Sequence, residues 1–545
     1  APTMSATNNA QILGPLTNSD EKSANVQREH LPCDEDPEAL ELKKREEALR
    51  RKLDCYVAPV MMMLMLISYL DRGNIGFAAT QGMTKDIELK GSELNTAVSV
   101  FYIFYILAEF PTSILVKRLQ FNRVIPTITL SWGLVCLCMG FVQNFAGLVT
   151  TRIFLGFFEG CLFPSMTLFL CNWYTREELG IRIAYLFIAS ALSGAFGGLI
   201  AFGILYMNGV GGWPGWRWLY VLEGIITILW AACCIFLVPK SFETAYFLNE
   251  EEKQLMRQRA ARTQAYSDSE GSGHYGKADI KEAAKDTKSW LHGCIQICVV
   301  TILYGFGTFL PIIIRSGFHY SVKESQYLVI PVNLWGAVVY AIGAYLSDRH
   351  QTRFLPLVLT APFGIAGYAI LLSPASPGTQ YFATYLIATA CFLCTGGNIT
   401  WLSANCAPDG KRAASLGILL TLTNIGGVVS GQIYQSNAAP RYTLGHAWSL
   451  SCLAVAWCAW WLVRSLYRRR ETEKDYRIAE GYVRPEDRIY TDREPDFRYQ
   501  TNKKLSIHQT IHPSQTPQRH LIPKPSSLFV HTTQPSANSS QANLL

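Results

Sequence analysis

The chain has 545 residues, 49% hydrophobic and only 16% charged, with a formal net charge of +7. Its apolar residues gather in runs of about 20, the length that crosses ~30 Å of hydrocarbon, which excludes a soluble globular protein and implies an all-α, polytopic membrane protein. The positive balance reads as a topology signal and not as nucleic-acid binding, and the 15 cysteines fall mostly in apolar runs with no metal spacing.

In chain order, residues 1–54 are polar, end in the helix-prone stretch Glu38 to Arg50, and read as a cytosolic N-terminal arm with no cleavable leader. Spanning helices are predicted near 56–79, 94–116, 124–142, 146–171, 181–206 and 217–238, forming a first six-helix bundle over 55–238. The polar stretch 239–290, with Gly271-Ser272-Gly273, reads as a cytosolic linker holding one short interfacial helix. A second six-helix bundle over 291–467 takes spans near 291–314, 325–346, 354–373, 380–402, 413–434 and 446–466. Residues 468–545 open on Arg468-Arg469-Arg470, are rich in Pro, Gln, Ser and Thr, and read as a disordered cytosolic tail. Its His508, His512, His520 and His531 are too irregularly spaced for a metal site, and no cofactor is expected.

Loop charges set the orientation. With both termini inside, the short inner loops carry Lys117, Arg118, Arg123, Arg176, Arg182, Arg349, Arg353, Lys411 and Arg412, and the basic linker and tails also fall inside. Trp213, Trp216 and Trp218 cluster at a helix end, as interfacial anchors do.

Against this apolar background the ionised residues stand out, because charge at membrane depth is costly and rarely kept without a task. Asp71 and Arg72 sit inside the first run, and Arg152 and Glu159 in the fourth. At 1.5 Å per residue, Arg72 lies about 24 Å above Tyr56, and Arg152, descending from Ala146, lies roughly 9 Å below the outer surface. The two arginines therefore reach similar levels from opposite directions, with Glu159 two turns and about 10 Å deeper on the face of Arg152. Two guanidinium groups at one level can hold a carboxylate, and desolvated carboxyls can take up protons. That combination suits proton-driven movement of an organic anion; the alternative is a set of structural ion pairs, Asp71 with Arg152 for example. Asn333 falls at the depth of Arg72 and Asn424 near the midplane, where each can bond a solute or join helices. Tyr69 and Tyr105 either line the cavity or pack the core, and Glu109 serves either an inner gate or transport.

Four stretches carry a family resemblance. Tyr69-Leu70-Asp71-Arg72-Gly73-Asn74-Ile75-Gly76, Arg152-Ile153-Phe154-Leu155-Gly156-Phe157-Phe158-Glu159-Gly160, Gly215 to Gly224, and the second-half set around Lys411-Arg412-Ala413, Asn424 to Gly427 and Ala439 to Tyr442 resemble the major facilitator superfamily, within it the anion:cation symporters and especially the fungal allantoate permease group. The resemblance implies two bundles rocking around a central site and proton-coupled uptake of a small organic anion such as a vitamin, a ureide or a small peptide. It associates Arg72, Arg152, Tyr69 and Tyr105 with the substrate and Asp71 and Glu159 with proton coupling. The loop Val116 to Arg123 lacks the Gly and Asp usual there, whereas the matching second-half loop keeps Ser347-Asp348-Arg349 and Arg353, so Asp348 and Arg349 are candidates for gating.

The reading is thus a monomeric symporter in the plasma membrane whose partners are a small organic anion, a proton and the lipid bilayer, with no nucleic acid. It is not an enzyme: no metal or nucleophile cluster lies at the interface. A passive facilitator or a transporter-like nutrient sensor are the alternatives; a sensor would carry a long structured cytosolic domain, and none is visible.

Overall fold

Hydropathy and end signals together set the helices. The computed structural model describes residues 37–115, 120–269, 277–435, 438–482, 491–495 and 497–500. All fall in the first of the two units into which the chain divides, Ala1–Asn502. The second unit, Lys503–Leu545, with its four histidines, lies outside the described residues, as do residues 1–36, Lys117, Arg118 and Gly271 to Gly273.

A polar helix α1 (Pro37–Tyr56) leads into α2 (Ala58–Thr80), which opens with a proline in its first turn, where the missing N–H costs nothing. Next come α3 (Glu93–Leu115) and α4 (Phe121–Met139). The fourth span is broken at Cys161 into α5 (Phe145–Gly160) and α6 (Leu162–Cys171); the Asn144 side chain caps α5 by accepting from the Gly147 N–H at 2.8 Å. A capping box of Thr175 and Glu178 starts α7 (Arg176–Ile204), and α8 (Gly215–Leu237) ends the first half. The connecting segment forms α9 (Glu250–Ser269) and α10 (Lys277–Lys285). The second half holds α11 (Thr287–Ile312), α12 (Val329–His350), α13 (Phe354–Leu372), α14 (Pro377–Ala404), α15 (Asp409–Ile433) and α16 (Thr443–Ala479).

Among the described residues, 11 helices are long and apolar enough to cross a membrane, and the 23-residue α3 packs among them in the remaining place. Their outward faces are apolar: Phe236 is 79% exposed and Leu229, Leu359 and Val455 are exposed beside it in kind, a surface suited to lipid and not to water. Each half packs as a bundle, and the halves meet where α2 faces α11, α3 faces α15 and α7 faces α12. Gly156 and Gly160 bring α5 against α3 so closely that an added Cβ would lie 2.2 Å from the Phe101 carbonyl oxygen or 2.5 Å from that of Tyr105.

Three expectations change. The linker holds two helices and not one; α9 buries Met256 and is fastened by ion pairs, Lys52 with Glu252 at 2.8 Å and Arg259 with Glu178 at 2.5 Å. Trp216 is buried and donates to Asp86 at 3.2 Å, so it is no interfacial anchor, whereas Trp213 and Trp218 do sit together, ring centroids 5.6 Å apart. The tail is not irregular from residue 468: α16 runs through the arginine triplet to Ala479, and residues 491–495 and 497–500 fold back beneath the second bundle. Lys474 donates to the carbonyls of Asp492 and Phe497, both at 2.7 Å, Tyr499 stacks on Tyr467 at 4.8 Å, and the Trp401 indole donates to the Gln500 carbonyl at 3.1 Å. Composition averaged over the whole tail hides this short acidic and aromatic stretch.

Candidate functional site

Two adjoining clefts of about 680 and 490 Å³ lie between the bundles and share Tyr69, Arg72, Leu303 and Tyr304. Together they form one chamber between the two halves. Arg72 is its only lining residue among the described ones with a permanent cation. The guanidinium is boxed by rings, with its centre 4.6 Å from the Tyr69 centroid, 4.7 Å from Tyr105 and 5.8 Å from Phe101. From the second half, Tyr304 stacks on Tyr102 with centroids 4.8 Å apart. Arg72 Nε donates to Glu159 Oε1, and Arg72 Nη2 donates to Ser68 Oγ at 3.3 Å. Ser68 Oγ also donates to Glu159 Oε1, while Glu159 Oε2 is buried with no hydrogen-bond partner. The arginine is thus held by a carboxylate that keeps one oxygen in reserve.

The other expected residues divide into two groups. Tyr105, Glu109 and Asn424 line the smaller cleft, where Asn424 Nδ2 donates to Glu109 Oε2 at 2.7 Å and joins α15 to α3. Glu109 therefore bonds across the chamber and not to an inner loop. Asn333 lines the larger cleft against Gly194 of α7, its amide donating to the Val329 carbonyl at 3.0 Å. Arg152, Asp71 and Glu159 are buried but do not line the chamber. The expected shared cradle of two arginines is corrected accordingly: Arg72 faces the chamber, whereas Arg152 Nη2 bonds the Tyr220 hydroxyl of α8 at 3.3 Å and its Nε has no partner. The suggested pairing of Asp71 with Arg152 is also absent among the described residues; Asp71 accepts from the Trp132 indole at 2.5 Å and the Cys136 thiol at 3.3 Å. Asp348 pairs with Arg353 in its own loop, and Arg349 is exposed at the end of α12, so these two make no contact with the first bundle that the structure records. The matching first-half cations Lys117 and Arg118 lie outside the described residues.

Sequence reasoning missed Tyr102, Tyr304, Gln296, Thr395, Ser190 and Ser193, all of which line the chamber. An aromatic or amide in an apolar helix offers little contrast to a sequence reader. It also missed Glu223, a buried carboxyl in α8 whose signal, an acid inside an apolar run, was the same one that marked Glu159.

Hydrogen bonds between the halves collect on the far side of the chamber, away from α1 and the end of α16. Asn95 donates to the carbonyls of Gly431 and Tyr434 at 2.6 and 2.9 Å, Ser99 to that of Val428 at 2.9 Å, Gln326 to Thr80 Oγ1 at 2.6 Å, and Arg315 to the Thr80 carbonyl. Only the Asn424–Glu109 bond crosses on the near side among the described residues. The chamber is thus closed most firmly at one end.

Fold and chamber define a multi-pass membrane transporter made of two helical bundles around a central cavity. The comparisons name the family: residues 61–431 match the Major Facilitator Superfamily, and the chain belongs to it. An uncharacterized transporter of Schizosaccharomyces pombe is 39% identical over 456 residues, covering 84% of this chain and 90% of the relative. The high-affinity nicotinic acid transporter of Saccharomyces cerevisiae is 32% identical over 462 residues, covering 83% and 85%. A D-xylose-proton symporter crystal structure shares the fold at a TM-score of 0.59 and 12% identity, covering 74% of this chain and 97% of that one.

Proposed function

We propose that the protein is a proton-coupled symporter of a small organic anion, of the anion:cation symporter type, with both termini cytosolic in a plasma membrane. The observation that carries this reading is the Arg72–Glu159 pair at the chamber wall. A solute carboxylate can take the guanidinium only if Glu159 gives it up, and protonation of Glu159 is what releases it. Proton and anion therefore enter together. The ring box of Tyr69, Tyr102, Tyr105 and Tyr304 favours a flat, partly apolar anion, and the likeness to a nicotinic acid transporter makes nicotinate the first solute to try. Asn333 and Asn424 supply hydrogen bonds from the second half, and Glu109 with Asn424 forms the near-side latch.

The test is competition. In yeast expressing the chain on a transporter-deficient background, a panel of vitamins and nitrogen sources is scored for growth, and uptake of the supported solute is challenged with its amide. The carboxylate should compete and the amide, nicotinamide in the case of nicotinate, should not. Equal competition by both would remove the anion from this account.

A further inference from the structure

On the side of α2 turned away from the chamber lies a second carboxyl group pair. Asp71, 1% exposed, accepts hydrogen bonds from Trp132 and Cys136 of α4 and from the Asn74 amide at 3.4 Å. The same Asn74 nitrogen donates to Glu223 Oε2 of α8. Glu223 is 4% exposed, and its carboxyl lies within hydrogen-bonding reach of the Asp71 carboxyl. Neither acid forms an ion pair among the described residues, and all the donors that hold them, an indole, a thiol and an amide, are neutral. Glu223 Oε1 and Asn74 Oδ1 are buried with no partner. The next residue, Gly224, packs so close to α4 that an added Cβ would lie 2.6 Å from the Leu137 nitrogen, so the helices leave little room for a counter-ion. The titratable groups that face the pair are Cys136 from α4, Glu159 from α5 and Tyr220 from α8, with Arg152 of α5 one step further out against Cys136 and Tyr220.

Two carboxylates this close, with neutral donors alone, repel strongly in a dry setting; one proton between them turns the repulsion into a hydrogen bond. We propose that Asp71 and Glu223 share one proton, forming a proton-binding site behind the chamber that is distinct from the Arg72–Glu159 pair. The proposal deepens the symport reading and rests on it only for its transport consequence. One O–H of the pair donates to an oxygen of the other; on release that O–H bond breaks, the proton passes to water or to Glu159, and the pair is left with both charges. Asp71 and Arg72 are neighbours on α2, so a shift of α2 when solute takes Arg72 alters the spacing from Asp71 to Glu223. Arg152, which donates to the Tyr220 hydroxyl, forms no ion pair with either acid among the described residues.

Infrared difference spectroscopy on the purified full-length chain in lipid nanodiscs, without solute and at neutral pH, reads the shared proton directly. The carbonyl stretch of a protonated carboxylic acid should be present in the wild type and in Glu159→Gln, and lost in both Asp71→Asn and Glu223→Gln. No such band in the wild type, or a band that persists in Glu223→Gln, overturns the proposal. Where a variant misfolds, the wild-type band and the other variant still decide. Solute uptake by the wild type with and without a protonophore is run alongside: insensitivity there defeats the symport reading and leaves the infrared result standing on its own.

Discussion

At the scale of single residues the chamber is organised around one guanidinium. Arg72 donates from Nε to Glu159 and lies against two tyrosine rings, a use of the planar head that lysine cannot reproduce. Arg72→Lys keeps the charge and loses both features, so KM for the solute should rise about tenfold or more, a loss of about 1.4 kcal/mol. Initial-rate uptake corrected for surface expression checks this, and a wild-type KM would argue that the rings and Glu159 do not shape binding. Arg152→Ala should abolish uptake while the purified variant still binds solute, because its guanidinium meets Tyr220 and not the chamber; loss of binding would restore it to the solute's cradle. The difference between the two arginines was not legible in the sequence. Helical rise gives the height of a side chain, and both heights were read from it, but the neighbour at that height depends on how helices cross. Arg152 and Glu159 share a face of α5 seven residues apart, yet Glu159 meets α2 and Arg152 meets α8. What the sequence does carry is the expense of the charges themselves, which is why Asp71, Arg72, Arg152 and Glu159 were found, although Glu223 with the same signal was not, and why none of the chamber's uncharged lining from the second half was found beyond Asn333 and Asn424.

At the scale of elements the feature that composition concealed is the strap formed by residues 491–495 and 497–500. It ties the starts of α11 and α15 to the last turns of α16 through one buried charge cluster. Asp492 is fully buried and bonds Lys411 at 2.8 Å and Lys288; Lys411 also reaches Asp286 at 2.9 Å, and Arg470 reaches Asp286 at 3.0 Å. Removing one partner from such a cluster leaves buried charge uncompensated, so Asp492→Asn should cost about 3–5 kcal/mol. Thermal unfolding of the purified chain in detergent measures it, and an unchanged midpoint would mean the strap contributes little. The cluster also has a defined pH response. Burial alone would raise the Asp286 carboxyl, but Lys288, Lys411 and Arg470 outweigh it and hold the group well below the usual carboxylate range. A depressed folded value means the stabilisation is present above the unfolded value and lost only as pH falls through the lowered one. The gap in unfolding midpoint between wild type and Asp286→Asn should therefore stay constant from about pH 7 to 5 and narrow only below about pH 4.

At the scale of the whole molecule, the two bundles were legible because hydropathy runs and loop charges are one-dimensional signals, and the linker and tail were misjudged because their helices are held by ion pairs and a few aromatic contacts that hydropathy does not register. Between the bundles the far side is laced by Asn95, Ser99, Gln326 and Arg315, and the near side by the Asn424–Glu109 bond. In the proposed cycle an asymmetric closure of this kind would be one end state, and the carboxyl groups in the first bundle would be its driver. In the proposed symport cycle, acidifying the outer solution would protonate Glu159, free Arg72 and ease anion loading, and the higher pH of the cytosol would return Glu159 to Arg72 and expel the solute. Uptake of the supported carboxylate by intact cells should therefore rise as external pH falls from about 7 to 5, and accumulation above the external concentration should collapse on adding a protonophore. Glu159→Gln should keep downhill exchange and lose accumulation, because a permanently neutral side chain leaves Arg72 open on both sides. Accumulation by that variant, or uptake indifferent to pH and protonophore alike, would replace the symport cycle with passive passage through the same chamber.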